Sequence, residues 1–357
     1  MKLLFPIAFL FQFIGSYAQP DSSHPLSVSG YVEAYYSYDF GKPANHQKPA
    51  FLYSYNRHNE VNINLAFLKA NYTQQNVRAN LAIGAGTYMN ANLAAEPGVL
   101  KNVFEANVGV KLARKEEIWL DAGILPSHIG FESAIGKDCW TLTRSILAEN
   151  SPYYEAGLRL SYTSENQQWF ISALVLNGWQ RIQRVGGNNT PAFGHQITYK
   201  PNDKITLNSS SFVGSDKPDS SRQWRILHNF FGTFQFNHWA DLTIGFDYGW
   251  EQQSKNSSRY NKWYSPVLIL RTHLTERDLL AMRAEYYHDP ANVIVSTNAG
   301  NGFRTNSYSI NYDHVFSKAL LARLEARRFQ SRDQIFLSGN QPTDRLFLIT
   351  GSLAFSF

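Results

Sequence analysis

The chain has 357 residues, of which 43% are apolar, 15% aromatic and 17% charged, with a formal net charge of +5 and a mean hydropathy of −0.34. A soluble domain of this size usually carries about 25% charge, so few charges, many aromatics and a negative hydropathy argue against an ordinary globule and suit a wall greasy on one side and wet on the other. Its one cysteine, Cys139, rules out an intramolecular disulfide and supplies no metal-ligand spacing, and no run of Lys or Arg suggests nucleic-acid binding.

The N-terminus reads Met1, Lys2, an apolar run over 3–14, then Gly15, Ser16, Tyr17 and Ala18. This is the pattern of a signal peptide over 1–18, cut after Ala18, with 19–357 as the mature chain. The run falls short of the roughly 20 apolar residues that a membrane-spanning helix needs. With no Cys at the cut, no lipoprotein anchor is expected, and no later segment reads as a transmembrane helix. An exported chain without a helical anchor is expected.

Downstream, alternating segments of about ten residues recur, as in a β-barrel crossing a membrane. The first, 27–40, sets Val28, Gly30, Val32, Ala34, Tyr36 and Tyr38 against Ser29, Glu33, Ser37 and Asp39. After a polar loop come 59–73, 76–88, 101–113 and 117–125; in 101–113 the outward set reads Phe104, Ala106, Val108, Val110 and Leu112. Segments 153–163, 168–179, 191–200, 204–214 and 222–236 continue the rhythm. Segment 241–251 has the cleanest alternation, with Leu242, Ile244, Phe246, Tyr248 and Trp250 on one face. Then follow 260–274, 278–288, 303–316, 319–330 and 344–357, the last placing Phe347, Ile349, Gly351, Leu353, Phe355 and Phe357 together. A closing strand with a terminal aromatic is typical of bacterial outer-membrane barrels.

Short connections alternate with long ones along the chain. A sandwich has no reason to sort loop lengths by parity, whereas a barrel with both ends in the periplasm does. The expected fold is therefore all-β: a single transmembrane antiparallel barrel of about 16 strands, wide enough for an aqueous channel. No plug-sized domain is expected before the first strand.

The longest connection, 126–152, carries Phe131, Ile135, Trp140, Leu142, Ile146 and Leu147, too apolar for free solvation. It is expected to be the third extracellular loop, folded toward the lumen, with a helical turn within 141–150. Its charges, Glu132, Lys137, Asp138, Arg144 and Glu149, are candidates for a constriction, the alternative being a packed extracellular cap with no role in selection. Alternation assigns Arg78, Arg159, Arg225 and Arg271 to the lumen, with Arg283 and Glu285 on one strand and Arg323, Glu325 and Arg327 on another. Such groups cost about 2–4 kcal/mol facing lipid near the midplane. They could set a transverse field against acidic loop residues, or merely brace the wall by mutual salt bridges. Aromatics near strand ends, Tyr35, Tyr36, Tyr38, Tyr153, Tyr154, Trp179, Trp239, Trp250, Trp263, Tyr264, Tyr286 and Tyr287, fit interfacial girdles or, alternatively, ordinary cross-strand aromatic pairs.

Four stretches carry a resemblance: LPSHIGFESAIGKDCWTLTRSILAENSPYYEAG (125–157), ALVLNGWQRIQ (173–183), SYNRHNEVNINLAFLKANY (54–72) and AEPGVLKNVFEANVGVKL (95–112). The chain resembles the OmpL-like β-barrel porin family over nearly all of its mature length. The resemblance implies an outer-membrane porin and no catalytic residues.

The leading expectation is a passive diffusion channel for small hydrophilic solutes, narrowed by 126–152, in the bacterial outer membrane and surrounded by lipid. No metal or cofactor is expected, and a homotrimer is compatible with the sequence without being specified by it. A hydrolase on the barrel rim would draw on His58, His128, His195 or His288 with Asp289, none of which sits in a recognised motif. A surface adhesin or receptor would use the long loops.

Overall fold

The computed structural model describes residues 24–236 and 239–357, so the leader over 1–18 lies outside the described residues. Sixteen antiparallel strands close into one barrel. They are β1 (Leu26–Asp39), β2 (Val61–Gln74), β3 (Val77–Ala85), β4 (Val103–Lys111), β5 (Glu117–Pro126), β6 (Tyr154–Thr163), β7 (Trp169–Leu176) and β8 (Ala192–Asn202). The second half comprises β9 (Ile205–Gly214), β10 (Arg225–Gln235), β11 (Ala240–Gln252), β12 (Tyr260–His273), β13 (Asp278–Asp289), β14 (Phe303–Val315) and β15 (Leu320–Ser331). A two-stranded hairpin, β16 (Phe336–Ser338) and β17 (Gln341–Thr343), decorates the last long connection before β18 (Arg345–Ser356). Each strand pairs with its sequence neighbour in the wall, and β18 closes the ring on β1, from Tyr31 opposite Ser356 to Asp39 opposite Leu348. Closure leaves no strand edge facing lipid.

Period-two alternation decides which way each side chain points. On β11, Asp241, Thr243 and Asp247 are buried inside the barrel, while Ile244 and Phe246 are exposed on its outer face. Phe355 and Leu353 are likewise exposed on β18, with Ser352 and Ala354 buried inside. Among the described residues no helix is long and apolar enough to cross a membrane.

The strand registers shift at three places, Glu33/Ala34, Ala82/Ile83 and Tyr199/Asn202. Between β3 and β4 the register shifts at Ala82/Ile83, so Val103, not Phe104, faces Ile83. Phe104 therefore turns inward and stacks on Phe67 at 5.0 Å, contrary to the outward position that unbroken alternation gives it. The aromatic doublets also divide. Tyr36, Tyr264 and Tyr286 stay on the outer face, while Tyr35, Trp263 and Tyr287 are buried inside. Adjacent residues in a strand cannot both reach the lipid boundary.

The long connections fill much of one end of the barrel. In the first, Phe51 packs on Phe303 at 4.7 Å and joins a cluster with Phe329 and Phe336. The second holds α1 (Thr87–Asn92), whose Tyr88 and Met89 pack with Leu147 and Tyr153 of the third. The third contains the single turn α2 (Ile146–Glu149), capped by Ser145. Short connections such as 75–76 and 203–204 lie at the other end.

Candidate functional site

The third connection, 127–153, lies against the inner wall on the side of β13, β14 and β15. Its backbone is held there as a ligand would be. Thr143 N–H donates to Glu325 at 2.5 Å, Ile146 N–H to Glu285 at 2.6 Å and Leu142 N–H to Asn311 at 3.0 Å. In the other direction, Arg283 donates to the Thr143 carbonyl at 2.6 Å and Arg323 to the Gly136 carbonyl at 2.7 Å. Arg327 donates to the carbonyl of Arg144. Buried backbone groups outside regular structure need such partners.

The wall charges also neutralise one another. Arg283 pairs with Glu325 at 2.8 Å and with Glu285 at 3.1 Å, Arg327 with Glu285 at 2.6 Å, and Arg323 with Asp313 at 2.8 Å. The side chains of Arg283, Glu285 and Glu325 are fully shielded from water. Of the two roles left open for these charges, mutual bracing describes this side: Arg283, Glu285, Arg323, Glu325 and Arg327, with Asp313, brace the wall and seat the loop. Ions so deeply buried persist only with paired charges and satisfied hydrogen bonds.

The loop's own charges divide by exposure. Glu132 accepts from the Ser145 N–H at 3.0 Å and from its hydroxyl. Burial raises the Glu132 carboxyl above its usual range, opposed by Arg283. Arg144 is buried and donates to the carbonyls of Leu142, Ser133 and Ala134 at 2.6, 2.7 and 3.0 Å. It binds the loop's own backbone and presents no charge to solvent. Glu149 accepts from Tyr53 N–H at 3.0 Å and Ser54 N–H at 3.2 Å, tying the first connection to the third. Only Lys137 and Asp138 are exposed, at 37% and 38%, and they pair with each other at 3.2 Å.

Across the interior the wall is wetter. Asp121 on β5 receives Arg78 from β3 at 2.6 Å and Arg159 from β6 at 3.1 Å, and both guanidinium side chains remain about a quarter exposed, at 27% and 24%. Arg271 faces inward beside Asp241 at 2.6 Å, and Arg225 beside Glu251 at 2.7 Å.

Sequence reasoning missed the first connection. Its Tyr55 hydroxyl donates to Glu33 of β1 at 2.9 Å, and the Arg144 guanidinium reaches the same hydroxyl at 3.2 Å. Lys48 is buried near Thr350, and burial pushes its ammonium down to about 7. The signal was present: Phe51, Leu52, Tyr53 and Tyr55 make this loop as apolar as the third.

The groups of the hydrolase reading each meet other partners, His288 the Tyr286 hydroxyl at 3.2 Å. His58 Nδ1 accepts from the Asp39 N–H at 2.8 Å. His128 bridges Glu155 and the Ser211 carbonyl, each at 2.7 Å. His195 meets the Ser211 hydroxyl at 2.6 Å on the outer face, and Asp289 caps the N–H groups of Val293, Ile294 and Val295. Burial pushes the Cys139 thiol up to about 11, which leaves it un-ionised at neutral pH. Among the described residues no group of three or more His, Cys, Asp or Glu is placed to hold a metal ion.

Comparison with known proteins agrees with this architecture. The family model described as "Putative beta-barrel porin-2, OmpL-like" matches residues 25–357. Curated proteins yield no match. Among solved structures, the anion-selective porin from Comamonas acidovorans superposes with a TM-score of 0.60 at 9% identity, covering 93% of this chain and 99% of that one. OmpT of Vibrio cholerae, in its trimer form, gives 0.59 at 8% identity, over 93% and 99%. The outer-membrane channel DcaP of Acinetobacter baumannii gives 0.57 at 11%, over 93% and 97%. At such identities the structural likeness shows the fold, and the family match carries the identity: the chain belongs to the OmpL-like β-barrel porins of the bacterial outer membrane.

Proposed function

We propose that the protein is a passive diffusion channel for small hydrophilic solutes, narrowed by the segment 126–152. One observation carries the reading. The backbone over 136–146 is hydrogen-bonded to inward-facing side chains of β13, β14 and β15, while Arg78 and Arg159 on the opposite wall stay partly exposed. Solutes then pass along the β3 to β6 side, where Arg78, Arg159 and Asp121 meet them. The net charge of +5 favours anions weakly. No catalytic step is assigned; conduction down a gradient needs none.

The decisive experiment is planar-bilayer conductance of the refolded mature chain. Steady current steps proportional to salt are expected, and a silent bilayer from a well-folded barrel overturns the reading. Deleting 136–145 should raise the step size; an unchanged step removes the constriction role. Residues 1–18 act as an export leader in this reading, so the N-terminus of the membrane-extracted protein should be Gln19. Trimer-forming barrels of the same fold support a homotrimer, and chemical cross-linking in the membrane tests it.

A further inference from the structure

Outward positions along the strands are mostly apolar or aromatic. The long-loop ends of β14, β15 and β18 depart from this. Arg304, Arg328 and Arg345 stand on the outer face there, and Arg332 follows directly after β15. The registers set them side by side. Arg328 lies opposite Tyr308 and Phe347, Gln330 lies opposite Asn306 and Arg345, and the Arg332 N–H donates to the Arg304 carbonyl at 2.9 Å. With strands roughly 4.8 Å apart, four guanidinium groups share one patch across three neighbouring strands.

Little in the protein neutralises them. Among the described residues the one carboxylate within ion-pair distance of any of the four is Asp344, 3.7 Å from Arg345, and that pair is exposed. Arg328 and Arg332 are exposed with no ion pair, and the buried Arg304 Nε finds no hydrogen-bond acceptor. The contrast with the short-turn end is sharp: there the outer face of β13 carries the acidic Asp278, satisfied by Tyr312 and His314.

An arginine facing lipid is costly at the midplane but nearly free at the interface, where the penalty falls to about 0–1 kcal/mol. Tyr308 and Phe347 mark that boundary, and Ile310, Leu324 and Leu353 continue below it as exposed apolar surface. Long loops face the outside of an outer-membrane barrel, so the patch sits at the headgroups of the outer leaflet. Planar guanidinium forks match phosphate oxygens bidentately, which a zwitterionic or neutral headgroup does not require in such number.

We propose that the outer face of β14, β15 and β18 binds the phosphorylated headgroup of an outer-leaflet glycolipid, with its acyl chains lying along Ile310, Leu324 and Leu353. The site is independent of whether the lumen conducts; it requires only that the long loops face outward.

The test uses the full mature chain refolded in detergent micelles and diphosphorylated lipid A as the probe. Lipid phosphorus retained after gel filtration and the thermal midpoint of heat-modifiable gel mobility are the readouts. The wild type should retain lipid A and gain in midpoint. Arg304→Gln/Arg328→Gln/Arg332→Gln/Arg345→Gln should retain about tenfold less, while Arg114→Gln/Lys115→Gln at a short turn should behave as wild type. Should the fourfold variant fail to refold, the exposed pair Arg328→Gln/Arg332→Gln gives the same comparison with a partial loss. Equal retention by a folded variant overturns the proposal. So does equal retention of dephosphorylated lipid A, or an equal midpoint rise from inorganic phosphate alone.

Discussion

The guanidinium of Arg327, on the barrel wall, donates to the main-chain carbonyl of Arg144, in the third loop, at 2.8 Å. The same guanidinium holds Glu285 at 2.6 Å, whose other oxygen is the far one of the pair that receives the Ile146 N–H. Replacing Arg327 by Met removes a donor from a buried carbonyl and leaves Arg283 as the one cation beside Glu285. Losing one partner of a buried pair costs about 3–5 kcal/mol. Arg327→Met should therefore release the loop from its seat, seen as protease cleavage within 136–146 in a barrel that still migrates as folded. A loop as resistant as the wild type would show that apolar packing alone holds it.

The start of the same loop is pinned by an ionisable group. His128 meets two acceptors, the Glu155 carboxylate and the Ser211 carbonyl, so both ring nitrogens donate in the charged form. Burial opposes that charge, as does Arg159, but Glu155 prevails and raises His128 above its usual 6.5. A group raised in the folded state stabilises most below its unfolded value and loses that contribution as pH climbs through the folded one. The wild-type loop should thus become more protease-sensitive as pH rises above 6.5, and His128→Gln should flatten that dependence. A slope that persists in the variant points to another group.

Lys48 has the opposite sign. Burial depresses its ammonium to about 7, partly offset by Asp39. The unfolded lysine keeps its proton up to 10.5, so the folded barrel gains stability as pH rises between those values. Lys48→Met should raise the thermal midpoint at pH 6, with the gain shrinking toward pH 10. A pH-independent difference between the two proteins would place the effect in packing.

On the wetter wall, Asp121 neutralises Arg78 and Arg159 together. Asp121→Asn leaves both arginines unpaired beside the proposed path. The reversal potential in a salt gradient should move toward stronger anion preference. No movement would mean that solutes do not pass this wall.

Much of the fold was legible because alternation is a local signal. Leu242 to Trp250 on β11 and Phe347 to Phe357 at the closing end read outward in the sequence and stand outward in the structure. Phe104 read wrongly because a bulge shifts parity by one residue and leaves no mark in composition. The site was harder to read. Its charges could be assigned to the inside, but their partners lie far along the chain: Glu325 binds a residue 182 positions away. No local pattern separates an arginine that lines water, such as Arg78, from one entombed beneath a loop, such as Arg283. Arg144 and Lys137 look equally solvent-seeking in sequence, yet one is wholly enclosed and the other is not.

The residues that grip the third loop belong to β13, β14 and β15, well downstream of it. The loop's seat is thus assembled from partners 139 to 182 positions away in the chain. Contacts of such long sequence separation form late, after the entropy of joining distant segments has been met. Docking of the third loop therefore has to follow closure of the wall that receives it.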